Sequence, residues 1–142
     1  MTGMRSVLVV EPDNDDRGGF ANALRSAGLS VDSTYDAARG LASIASNHYA
    51  IVVVDPLTPG LDAAALIEAL RQAAPRPVAL VMIDHLDPAR GFGADVIHGY
   101  IRRDTEGDQL AELVRDCLTA LRESKAIAPS APESGRVAES PR

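Results

Sequence analysis

Three short apolar runs constrain the fold most: VLVV at 7–10, AIVVV at 50–54 and PVALVMI at 77–83. None carries a polar side chain, so none can alternate between a wet and a dry face. Runs this short and this rich in β-branched residues are strands, and strands apolar throughout are buried on both faces. That implies a parallel sheet with helices on each side. Helical patterns fill the gaps. Over 14–27, Phe20, Ala23, Leu24 and Ala27 recur at helical spacing and Gly28 supplies a stop. The Gly18-Gly19 pair inside this helix should cost about 1 kcal/mol per glycine relative to alanine. Over 35–47, Ala38, Leu41, Ala42, Ile44 and Ala45 repeat the pattern. After the turn PLTPG, Asp62 is placed to cap a helix whose apolar face is Leu66, Ile67 and Leu70.

Two weaker strands complete the set. Residues 29–33 (LSVDS) alternate like an edge strand, and 96–102 (VIHGYIR) read as the last strand. Between the third apolar run and this last strand, DHLDPARGFGAD has room only for a short helix. Thr105 opens TEGD, a capping-box-like start with Asp108. Leu110, Leu113, Val114, Cys117, Leu118 and Leu121 then form a helical stripe. Five strand–helix pairs joined by right-handed crossovers predict an α/β fold, a flavodoxin-like doubly wound sheet of five parallel strands. Residues 1–124 are the expected domain. Residues 125–142 (KAIAPSAPESGRVAESPR) lack apolar periodicity and are expected to form a disordered tail.

Composition narrows the function. A formal net charge of -6 argues against a general nucleic-acid or anionic-membrane surface. One cysteine excludes an internal disulfide and suits a reducing cytoplasm. The first apolar run is too short for a signal peptide, and no segment approaches the roughly 20 apolar residues that span a bilayer. A cytoplasmic location is therefore expected. His48, His85 and His98 show no metal spacing, and Cys117 on the apolar stripe reads as core. No glycine-rich phosphate loop follows a strand, and no serine sits in a nucleophile elbow.

In doubly wound sheets, sites form at the carboxyl ends of strands. Glu11, Asp55 and Asp84 fall at such ends. Asp55 is the sharpest of them, because it ends a central strand and precedes a proline-bracketed turn. Two readings stand side by side: a phosphoryl acceptor, or a loop acid bonding the amides of its own turn.

VLVVEPDNDDR, then IVVVDPLTPGLD, and later HGYIRRD before an amphipathic helix resemble the receiver domain of bacterial response regulators, over residues 5–124. The most specific part is Asp55 with Pro59 four residues later. The resemblance implies a phosphoryl group transferred to Asp55 from a histidine kinase or phosphotransfer protein, assisted by Mg²⁺. By position, the metal's protein oxygens would come from Glu11, Asp55 and the backbone carbonyl of Leu57, with Asp13 as a further candidate. Proline at 12 stands where the family has a second acid, so weakened Mg²⁺ affinity is expected, and Pro12→Asp should raise it. The family's Ser or Thr at the end of the fourth strand corresponds to Met82, or to Ile83 one residue on. No Ser or Thr occurs anywhere from Pro59 to Tyr100. A hydrogen bond from that hydroxyl to a charged group would contribute about 1.5–3 kcal/mol, the scale of an allosteric coupling.

The family's lysine corresponds to Arg103, in a chain with 14 basic residues of which Lys125 is the sole lysine. Arg keeps the charge but presents a planar fork. Beside a pocket role, a surface arginine next to Arg102 is the alternative. Tyr100 matches the aromatic that turns inward in activated receivers, or is a half-buried strand tyrosine. The resemblance thus implies a single-domain atypical response regulator. It would not be an enzyme beyond self-dephosphorylation, and its output would pass through an unidentified protein partner. The rival is a pseudo-receiver, an interaction module without phosphoryl chemistry, in which Asp55→Asn leaves partner binding normal. A small-ligand binder of the same fold is the third reading, although short turns leave little to enclose a ligand.

Overall fold

A computed structural model describes residues 7–12, 19–83 and 95–127, the side chains as far as Glu123. Asp13, Asp84 and the stretch 84–94 lie outside the described residues, as does the tail beyond 127. Five strands form one parallel sheet: β1 (Val7–Val10), β2 (Val31–Thr34), β3 (Ile51–Val54), β4 (Val78–Ile83) and β5 (Gly99–Arg102). Their spatial order is β2-β1-β3-β4-β5. This is the flavodoxin-like doubly wound order. The described helices are α1 (Phe20–Ser26), α2 (Ala37–Ser46), α3 (Ala63–Gln72) and α4 (Gly107–Ile127).

Every residue of β1 and β3 is buried, as their uninterrupted apolar sequence predicts. Alternation along the strands divides these residues between two faces. Leu8, Val10, Val52, Val54, Ala79 and Val81 share one cluster with Ile44 of α2 and Leu66 and Leu70 of α3. Val7, Val9, Ile51 and Val53 have the opposite parity. The strand order reverses direction after β2, so right-handed crossovers place α1 on that second face, away from α2 and α3. At one point helix and sheet nearly touch: a Cβ on Gly40 of α2 would lie 2.9 Å from Val10 Cγ2. On the sheet edge, the buried Tyr49 donates its hydroxyl to Asp32 Oδ2 at 2.7 Å.

Element ends differ from the sequence reading for local reasons. Gly19 is the N-cap of α1 rather than an interior residue, with φ at 20°. The cost expected for a glycine inside the helix does not arise at this position. Asp36 caps α2 by accepting the N–H groups of Ala38 and Arg39, a cap the sequence reading passed over. Asp62 caps α3 as expected, accepting the Ala64 N–H. β5 starts at Gly99 rather than 96, because the ring of His98 replaces a backbone acceptor. The Ala79 N–H is 3.0 Å from His98 Nδ1, and the His98 N–H donates to the Ala79 carbonyl.

The chain divides into two compact units, residues 1–111 and 112–142. The first holds the whole sheet, α1 to α3 and the start of α4, where Leu110 and Ala111 are buried. In the second, Val114 and Leu118 are buried, whereas Leu113 of the expected stripe is 47% exposed. Burial pushes the Cys117 thiol above its ordinary value. α4 runs through Ile127, three residues into the stretch read as tail.

Candidate functional site

The carboxyl ends of β1, β3 and β5 bring Glu11, Asp55 and Arg103 to one rim. Register does this directly: Val10 pairs with Val54, and the Asp55 N–H donates to the Val10 carbonyl at 2.7 Å. Across the sheet, the Arg103 N–H donates to the Ile83 carbonyl at 2.7 Å, which ties the end of β5 to the end of β4. Asp55 and Thr58 are the buried polar residues among those described.

Each Asp55 oxygen is engaged. Oδ1 accepts Arg103 Nη2 at 2.5 Å and the Leu57 N–H at 2.9 Å, and Oδ2 accepts Arg103 Nε at 3.1 Å. Two nitrogens of one guanidinium on two oxygens of one carboxylate make the bidentate fork that arginine favours. The bond to Leu57 closes the proline-bracketed turn, so the turn-bonding role weighed in the sequence is present as well. Thr58, unremarked in the sequence, locks the turn from below. Its hydroxyl donates to the Asp55 carbonyl at 2.7 Å and is buried. The signal available was a threonine between two prolines. Arg102 does not compete for Asp55, because it grips Asp104 at 3.0 and 2.8 Å on the surface. That contact holds the Asp104 carboxyl below the usual range.

Glu11 turns elsewhere. It shares the parity of Val7 and Val9, the α1 face, and its Oε1 and Oε2 accept the N–H groups of Phe20 and Ala21 at 3.3 and 3.4 Å. A carboxylate over the first helical amides is the stabilising arrangement for a helix start. Gly19 makes it possible, since a Cβ there would lie 2.6 Å from Glu11 Oε2. Met82 is 2% exposed, packed into the core where the family resemblance implies a hydroxyl. Leu57 and Tyr100 are 62% and 39% exposed, so Tyr100 stands outward.

As placed, the described residues fit a Mg²⁺ ion poorly. A hard cation needs several free oxygen ligands in octahedral array. Each Glu11 oxygen accepts a helix amide, and Asp55 accepts Arg103 twice and the Leu57 N–H once. Pro12 offers no side-chain oxygen, and Asp13 lies outside the described residues. Among the described residues, no group of three or more His, Cys, Asp or Glu is placed to hold a metal.

Comparison with solved structures places this fold among CheY-like receiver domains. The receiver domain of a Francisella response regulator superposes with a TM-score of 0.68 at 21% identity, covering 82% of this chain and 98% of that one. A receiver domain of a sensor histidine kinase from Pseudomonas aeruginosa, solved with magnesium in its active-site cleft, gives 0.68 at 17% identity, covering 82% and 99%. A streptococcal protein from a family of redox sensors evolved from two-component response regulators gives 0.72 at 14% identity, covering 86% of this chain and 54% of that one. No protein-family profile and no curated protein matches the sequence. Likeness at this level establishes the fold, and function must come from the site. Among the described residues, no helix is long and apolar enough to cross a membrane.

Proposed function

We propose that the chain is a receiver-type signalling module of a two-component phosphorelay, with Asp55 as phosphoryl acceptor and output by protein–protein contact. The observation that supports this reading is the placement of Asp55. It is a buried carboxylate at the mouth of a central strand, gripped by a cation from the end of β5. In the reaction, one Asp55 oxygen attacks phosphorus and a P–O bond forms. The P–N bond of a phosphohistidine donor breaks, and its electron pair goes to the ring nitrogen, which takes up a proton. Arg103 must let go of one carboxylate oxygen for the attack, and its guanidinium then pairs with the new phosphoryl oxygens. The upstream partner is a histidine kinase or phosphotransfer protein, and the setting is the cytoplasm. Incubation with a phosphorylated histidine kinase or a small acyl phosphate should add one phosphoryl group by intact mass, and Asp55→Asn should abolish it. No mass shift with either donor overturns the reading.

A second reading, a phosphorylation-independent interaction module, draws on Glu11 serving α1, on Pro12 and on the buried Met82. Under it Asp55 and Arg103 form a fixed structural pair, and Asp55→Asn leaves signalling in cells unchanged. A small-ligand role gains little. A polar groove of about 540 Å³ lies between α1 and the β2–α2 turn, lined by Glu11, Asn22, Arg25, Ser33, Tyr35 and Arg39, and Asp55 does not line it.

A further inference from the structure

We propose that Arg103 is the resident cation of this pocket and that Asp55 takes no divalent metal. The inference rests on Asp55 being the centre of the site and concerns how its charge is neutralised. First, the guanidinium bonds both carboxylate oxygens and the Leu57 N–H adds a third bond. About one of roughly four lone-pair sites is left, and a metal ion would compete with a bidentate partner for it. Second, among the described residues, the acid at the end of β1 is committed elsewhere. Glu11 spans the first amides of α1, and the space it fills exists because residue 19 has no Cβ. Withdrawing it toward Asp55 would leave those amides without their acceptor. Third, Mg²⁺ gives up its waters reluctantly and needs carboxylates free to receive it, whereas position 12 supplies a proline. A monovalent cation is already paired with the carboxylate that a divalent one would need, and the two cations repel.

Chemistry at Asp55 is then independent of metal. Pro12→Asp, which the sequence predicts to raise Mg²⁺ affinity, is insufficient while Arg103 holds Asp55. The test titrates Mg²⁺ and Mn²⁺ into the full chain. It follows heat by calorimetry and the amide resonances of Glu11, Asp55 and Leu57 by NMR. The native chain and Arg103→Lys should show no saturable change at millimolar metal. The pair Pro12→Asp with Arg103→Ala should bind more tightly than either single variant, by about tenfold or more. Arg103→Gln replaces Arg103→Ala if the latter loses its dispersed spectrum. Saturable binding by the native chain overturns the inference, as does a Pro12→Asp variant that binds as tightly as the double variant. The outcome separates from that of the phosphoacceptor reading. Metal binding together with phosphorylation of Asp55 refutes only the metal-free pocket. Absence of both refutes only the phosphoacceptor.

Discussion

Replacing Arg103 with Met leaves Asp55 charged, buried and held by one neutral donor, the Leu57 N–H. In the native pair the side chains are 6% and 27% exposed for Asp55 and Arg103. Breaking a buried ion pair by removing one partner typically costs about 3–5 kcal/mol, because the remaining charge is stranded. Two features lower the figure here. Arg103 is partly wet, and the Leu57 bond survives. An expected loss of about 2–4 kcal/mol follows, equivalent to a fall in Tm of roughly 10 °C for a chain of this size. The converse change, Asp55→Asn, should cost less, about 1–2 kcal/mol. Arg103 can then turn to water, and the Asn oxygen still accepts from Leu57. A double-mutant cycle by urea denaturation at neutral pH should give a coupling of about 1.5–3 kcal/mol between the two sites. A coupling below about 0.5 kcal/mol would refute the pairing, because residues this close cannot behave additively if the fork is formed.

Glu11→Ala should destabilise by about 1 kcal/mol, as loss of a helix-start acceptor does, and hydrogen exchange should quicken at Phe20 and Ala21. Unchanged exchange there would contradict the cap. Thr58→Val keeps the shape and removes the donor to the Asp55 carbonyl. It should cost about 1–2 kcal/mol by denaturant melting. The Arg71 guanidinium, at 2.9 and 2.8 Å, holds the Asp95 carboxyl below its ordinary value. A lowered folded-state value means a contribution present above the unfolded value and lost as pH falls through the folded one. The pair's small effect should therefore fade only in the acid range. An NMR titration of Asp95 should show a midpoint below 3.8 that rises in Arg71→Met.

The sheet was legible because burial on both faces leaves one kind of residue in a strand. VLVV and AIVVV declare β1 and β3, and the position of Asp55 follows from the strand it ends. The grip of Arg103 on Asp55 was half legible: strand-end position suggested it, but only the folded register brings residues 48 apart in sequence together. The role of Glu11 was not legible. Its identity as an acid at a strand end fits a metal site as well as a helix cap. Strand parity, the start of α1 and the missing Cβ of Gly19 bring it to the helix amides. β5 began later than its apolar run because an imidazole nitrogen took a backbone carbonyl's place, a substitution no periodicity reveals.

The central claim is that Asp55, paired with Arg103, is the reacting group of a metal-free receiver pocket. The most direct test is a time course of phosphoryl incorporation from a small acyl phosphate. It compares the native chain with Asp55→Asn, each with a chelator and with added Mg²⁺. The native chain should take up one phosphoryl group to the same extent in both buffers, and Asp55→Asn none in either. Incorporation that needs Mg²⁺, that survives Asp55→Asn, or that never occurs would contradict the account.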